Sequence, residues 1–164
     1  MPGHLAGQVL QRIKEARELY NRLILIVGPA GSGKTRALQD VSLLTSTPII
    51  NVNLELSAQM LGLTKAQRAL QLPCILSELV DQVSNDLVLL DNTELLFDIQ
   101  LKHDPLRLLQ RLSRNKTILA SWNGAIENDH LVYAVPEHPE YRRYLMRDFL
   151  VVNCDIKTSK EKQK

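Results

Sequence analysis

Cysteine is scarce in this sequence, and a strong excess of one sign of charge is missing. Cys74 and Cys154 are the two cysteines in 164 residues. They are too few and too isolated for a disulfide framework or a thiolate metal cluster, and read as reduced thiols. Lysine and arginine number 20 against 18 aspartates and glutamates, a net charge of +2. That balance does not argue for nucleic acid, which would need a local basic patch. No apolar run approaches the length that crosses a bilayer, and the first residues lack a signal-like stretch, so a cytoplasmic protein without membrane contact is expected. There is no internal repeat and no low-complexity linker. One folded domain is expected over residues 1–156, followed by a charged, disordered tail at 157–164.

What the chain does have is a 45% hydrophobic content, enough for a real core, and one highly specific motif. Gly28-Pro29-Ala30-Gly31-Ser32-Gly33-Lys34-Thr35 has the residues of a phosphate-binding loop. The glycines let backbone N–H groups wrap around phosphate oxygens, Lys34 supplies a point charge for the β- and γ-phosphates, and the Thr35 hydroxyl suits Mg²⁺. The apolar run 23–27 before it reads as a strand. Ala37, Leu38, Val41 and Leu44 after it recur at helical spacing, so a helix starting near Ser32 aims its positive end at the anion. ATP and Mg²⁺ are the expected ligands.

The remaining pattern alternates strands and helices. An amphipathic helix carrying Leu5, Val9, Ile13, Ala16 and Tyr20 is expected to end near Asn21. Further strands are expected at 49–53, 87–90, 117–120 and 149–152, with helices at 57–61, from Pro73 through Val83, across 95–99, from Pro105 after an Asp104 cap, and at 141–146. Five short apolar strands separated by helices imply a parallel sheet covered on both faces, with ligands at the strands' carboxyl ends.

Three strand ends carry polar residues. Asp91 follows four apolar residues and reads either as a Mg²⁺ partner or as a cap for the next helix. Many nucleotide hydrolases place a glutamate directly after that aspartate. Here the position is Asn92, and Glu94 either swings toward the γ-phosphate or caps a helix. Asn123 reads as a ligand for the γ-phosphate or the lytic water, or, with Gly124, as a simple turn. Trp122 either stacks on a base or packs. Arg107, Arg111 and Arg114 form a basic stripe, read as a solvated face or a nucleic-acid contact.

With the phosphate loop, Asp91, Asn123 and the pair Arg142 and Arg143 in this order, the chain resembles a minimal AAA+-type P-loop NTPase. The resemblance implies a three-layer α/β fold with a five-stranded parallel sheet of order 5-1-4-3-2, and a sensor role for Asn123. It also implies that Arg142 or Arg143 acts in trans on a neighbour's nucleotide in a homo-oligomer; alternatively they form a solvated or packed basic face. A C-terminal helical lid is not expected. More narrowly, Leu89-Leu90-Asp91-Asn92, Ala120-Ser121-Trp122-Asn123 and His138-Pro139-Glu140-Tyr141-Arg142-Arg143-Tyr144 resemble the BrxF family of small P-loop proteins from type 3 bacteriophage exclusion (BREX) systems. That implies a nucleotide-dependent part in anti-phage defence alongside a DNA methyltransferase, a larger ATPase and a phosphatase-like protein.

Three functional classes follow. One is an ATP-driven assembly factor with weak or partner-stimulated hydrolysis, the catalytic candidates being Glu94, Asn123, Arg142 and Arg143. Another is a small-molecule or nucleoside kinase using Asn51, Asn53 or Glu55 to hold an acceptor. The third is a DNA-binding loader using the arginine stripe.

Overall fold

In a computed structural model, residues 3–154 are described; the expected tail at 157–164 lies outside them. The strands are β1 (Leu23–Gly28), β2 (Ile49–Asn51), β3 (Leu87–Asp91), β4 (Thr117–Glu127), β5 (His130–Tyr133), β6 (Arg142–Leu145) and β7 (Leu150–Asn153). The helices are α1 (His4–Ala16), α2 (Lys34–Thr45), α3 (Val52–Met60), α4 (Lys65–Asp81) and α5 (Pro105–Leu112). No helix among the described residues is long and apolar enough to cross a membrane.

Strand periodicity builds two cores. Successive side chains of a strand point to opposite faces, and β1 is buried on both. Leu23, Leu25 and Val27 join Val88, Leu90, Ile118 and Ala120 in one core, under α3, α4 and α5. Ile24 and Ile26 join Leu89 and Leu119 in the other, under α1 and α2. Each buried Val, Leu or Ile among these contributes roughly 1.5–3 kcal/mol relative to exposure, so a charge placed in β1 would break the sheet's centre. The result is the expected three-layer α/β arrangement, with the parallel strands in the path β2-β3-β4-β1-β7.

The sheet does not stop at five strands. β4 runs to Glu127, seven residues past its expected end at Ala120, and its extension pairs antiparallel with β5, which pairs with β6, giving seven strands in all. The turn that reverses it is Asn128-Asp129, both at positive φ (49° and 63°), as a two-residue hairpin of right-twisted strands requires. Asn123 and Gly124 lie inside β4, so the turn reading of that pair is wrong. The helix expected at 141–146 is β6: Arg142 and Tyr144 are half-buried while Arg143 and Leu145 are exposed, a period of two rather than 3.6. Tyr144 turns inward onto Trp122, with ring centroids 5.9 Å apart.

Other boundaries move for local reasons. α1 stops at Ala16, leaving Tyr20 on the surface under the Arg114 guanidinium. Strand β2 is cut to three residues because Asn51 caps α3, its Oδ1 accepting from the Leu54 N–H at 3.1 Å. The stretch 94–101 forms two short 3₁₀ turns, Glu94–Phe97 and Ile99–Leu101, instead of one helix. Helix α4 starts at a Thr64–Gln67 capping box and runs straight through Pro73, which places Cys74 mid-helix and exposed. Proline there deprives the Ala69 carbonyl of its helical donor, and the His103 ring supplies a replacement, Nε2–H to Ala69 O at 2.5 Å. α5 begins as expected, with Asp104 Oδ1 accepting from the Arg107 N–H at 3.1 Å.

Candidate functional site

The phosphate loop leaves the end of β1 and enters α2. Gly31 (φ 79°) and Gly33 (φ 98°) occupy the left-handed region, where a Cβ is costly. Gly28 is required for another reason: a Cβ there would come within 2.5 Å of Ser32 Oγ and 2.9 Å of Cys154 Cβ. Lys34 opens α2 and is 6% exposed. Its ammonium donates to Gly28 O at 2.8 Å and Pro29 O at 2.6 Å, with Ser32 Oγ at 3.4 Å. Burial pulls the Lys34 pKa below its ordinary value, and the fields of Cys154, Asp91 and Glu94 partly restore it. Reciprocally, burial pushes the Cys154 thiol up to about 11, with Lys34 opposing.

Opposite the loop stands the rim of the sheet. Asp91 ends β3, 6% exposed, and its Oδ2 accepts from Thr35 Oγ1 at 2.8 Å. Asn92 follows at positive φ (52°), its N–H bonded to Asp91 Oδ1 at 2.9 Å. A short polar residue tolerates that conformation, whereas a branched one would not. The reversal at Asn92 carries Glu94 back over the site. Both carboxylate oxygens of Glu94 are then held by amides: Asn123 Nδ2 donates to Oε1 at 2.5 Å and Asn53 Nδ2 to Oε2 at 2.9 Å. Parallel pairing of β1 with β4 sets Asn123 beside Gly28.

Three further bonds fix this turn. The Asn53 N–H donates to Asn92 O at 2.9 Å, Asn53 Oδ1 accepts from the Leu95 N–H at 2.8 Å, and the buried Thr93 hydroxyl donates to Ser121 O at 2.8 Å. Between loop and rim lies a cleft of about 430 Å³, bounded by Ala30, Gly31, Gly33, Lys34, Thr35 and Arg36 on one side and by Asp91, Asn92, Glu94 and Asn123 on the other.

Lys34, Thr35, Asp91, Glu94 and Asn123 are therefore brought to one place. Gly28, Pro29 and Ser32 lie behind Lys34 and bond it rather than the cleft. Arg142 and Arg143 do not line the cleft: Arg142 Nη2 donates to His103 O at 3.5 Å and Arg143 is exposed on β6. Trp122 packs: it is fully buried, with Nε1–H on Val132 O at 3.1 Å and its ring edge-on to Phe97. The arginine stripe is broken, because α5 ends at Leu112 and Arg114 turns onto Tyr20. Asn51 and Asn53, expected on a strand as acceptor ligands, instead cap α3 and clamp Glu94. The sequence reading does not single out Thr93, Arg36 or the clamping part of Asn53. Only Arg36 leaves a trace, as a cation in the first turn of a helix.

Thr35 and Asp91 converge with oxygen donors of the kind a hard divalent cation takes. Among the described residues no cluster of three or more histidine, cysteine or acidic side chains could hold a metal ion. No family model matches the chain, and no curated protein does. Among solved structures the chain is similar to AMPPCP-bound DnaA from Aquifex aeolicus, with 23% identity and a TM-score of 0.38 over 73% of this chain and 38% of that one. It thus spans well under half the length of that protein.

Proposed function

We propose that this chain is an ATP-binding P-loop protein that hydrolyses its nucleotide slowly and uses the bound state to control assembly. The observation that carries this reading is the loop itself: Lys34 and Thr35 face Asp91, Glu94 and Asn123 across one cleft. Backbone N–H groups of the loop and the Lys34 ammonium bind the phosphates. The Thr35 hydroxyl and the Asp91 carboxylate hold Mg²⁺, which when bound neutralises phosphate charge. Glu94, aligned by the Asn53 and Asn123 amides, orients water toward the γ-phosphate. With Asn92 in the customary glutamate position, turnover is slow and open to stimulation by a partner.

Charge balance favours self-assembly. Lys34 and Arg36 are the cations lining the cleft, against Asp91 and Glu94, so a bound Mg²⁺–triphosphate leaves the site net negative. An arginine from a second copy, Arg142 or Arg143, would supply the missing charge. The segments that resemble the BrxF family extend the proposal to a cytoplasmic, BREX-type anti-phage assembly with a methyltransferase, a larger ATPase and a phosphatase-like protein. The kinase and DNA-loader readings lose ground, since Asn51 and Asn53 are already engaged and the arginine stripe is interrupted.

Titration calorimetry with Mg²⁺–ATP tests the core of this reading. Wild-type protein should bind, and Lys34→Ala should lose affinity by a hundredfold or more while keeping its fold by circular dichroism. Binding unchanged by Lys34→Ala, or absent from folded wild-type protein, would refute it.

A further inference from the structure

The charged groups of the cleft are engaged within the molecule, with one exception. Lys34 bonds the loop, Asp91 takes Thr35 and the Asn92 N–H, and Glu94 takes two amides. Arg36 also lines the cleft, exposed, and makes no hydrogen bond or ion pair among the described residues. Its location is unfavourable in isolation. The first turn of α2 contains no acidic residue and two cations, Lys34 and Arg36, at the positive end of the helix dipole, where an anionic side chain is the stabilising choice. Lys34 is accounted for by the loop; Arg36 is not. A local rule broken beside a site points to a ligand that repairs it.

Resting on the nucleotide-binding reading above, we infer that Arg36 is a phosphate-binding residue, its guanidinium closing over the bound polyphosphate from the mouth of the cleft. Arginine suits this task. Its planar fork gives paired N–H donors to phosphate oxygens, and its charge persists at any physiological pH. Phosphate, rather than base or ribose, is the group recognised, because the loop brings its phosphate-binding atoms to the same helical turn. Arg36 thereby contributes to affinity for the phosphate chain and leaves the hydrolytic geometry at Glu94 alone.

The test compares wild type with Arg36→Ala and Arg36→Lys in calorimetric titrations against Mg²⁺–ATP and Mg²⁺–tripolyphosphate, alongside thermal melts without ligand. Arg36→Ala should weaken both ligands by the same factor, about tenfold, with Arg36→Lys in between. Unliganded Arg36→Ala should melt about 1–3 °C higher than wild type, since a repelled cation has gone from the helix start. Equal affinity of Arg36→Ala and wild type would overturn the inference, as would a loss confined to ATP or one accompanied by a lower melting temperature. Absence of binding by the wild type would instead refute the nucleotide-binding function itself.

Discussion

Replacing Asn53 by alanine separates positioning from binding. The Asn53 side chain makes two bonds, donating to Glu94 Oε2 at 2.9 Å and accepting from the Leu95 N–H at 2.8 Å, and it does not line the cleft. A neutral hydrogen bond contributes about 0.5–1.5 kcal/mol and one to a charged group about 1.5–3 kcal/mol; both sites here are half-buried, so the lower ends apply. Asn53→Ala should therefore cost about 2 kcal/mol of stability, a fall of roughly 4–8 °C in a domain of this size. Glu94 would keep only the Asn123 contact at 2.5 Å. If that freedom costs about 1.4–2.7 kcal/mol of alignment in the transition state, single-turnover hydrolysis at saturating Mg²⁺–ATP slows about ten- to a hundredfold. Affinity for Mg²⁺–ATP should stay within about twofold. Asn51→Ala is the control from the same strand–helix junction: losing the α3 cap costs about 1 kcal/mol of stability and should leave the hydrolysis rate untouched. Hydrolysis by Asn53→Ala as fast as or faster than wild type, at unchanged affinity, would refute the clamp as a positioning device.

Two further predictions concern groups away from the reacting atoms. The Cys154 thiol, ordinarily near 9, is raised to about 11 by burial; the unfolded chain therefore loses this proton first, and the thiol's contribution to stability is whole below pH 9 and lost between pH 9 and 11. Between pH 9 and 10 the lowered Lys34 acts in the opposite sense, so the check is a difference: the slope of stability against pH in denaturant titrations should be less negative in Cys154→Ala than in wild type, below the range in which the buried Tyr133, raised to about 12 by desolvation, adds its own slope; a slope unaltered by the substitution would dissociate it from Cys154. His103→Ala should cost about 1–2 kcal/mol by leaving the Ala69 carbonyl of α4 without a donor, but less in a Pro73→Ala background, where the helix regains its own N–H; additive losses across that double-mutant cycle would count against the replacement role of His103.

Much of this molecule is legible in the sequence wherever a signal is local. The phosphate loop, the Asp104–Pro105 helix start, the apolar strands β1 and β3 and the rim position of Asp91 all follow from residues within one turn or one strand. What escapes is what depends on distant partners. The proline inside α4 is accommodated by His103, whose ring reaches the Ala69 carbonyl from 34 positions further along the chain. The strand at Arg142–Leu145 exists because β4 overshoots the rim and offers β5 as a template; its own composition is ambiguous. Asn53 reads as a strand residue until the Asn51 cap starts α3 early, and only then does its amide meet Glu94, 41 positions away.

The overshoot of β4 also explains how the site is held. Trp122 and Asn123 are consecutive on that strand, so alternation sends their side chains to opposite faces. Trp122 is locked by its hydrogen bond to Val132 and by ring contacts with Phe97, Tyr133 and Tyr144. With that ring fixed, Asn123 has little freedom left and meets Glu94 at 2.5 Å. Phe97 lies three residues after Glu94 on the same 3₁₀ turn and stacks on Tyr133, so the turn bearing the carboxylate and the strand bearing its amide share one aromatic anchor. On the Asn123 side, precision at Glu94 is therefore supplied by the hairpin β5–β6, which bears Tyr133, Tyr144 and Arg142, while Asn53 holds the other oxygen from α3. A change that loosens the hairpin should slow hydrolysis without weakening nucleotide binding, because the bonds that hold Lys34 run to Gly28, Pro29 and Ser32 of the loop itself.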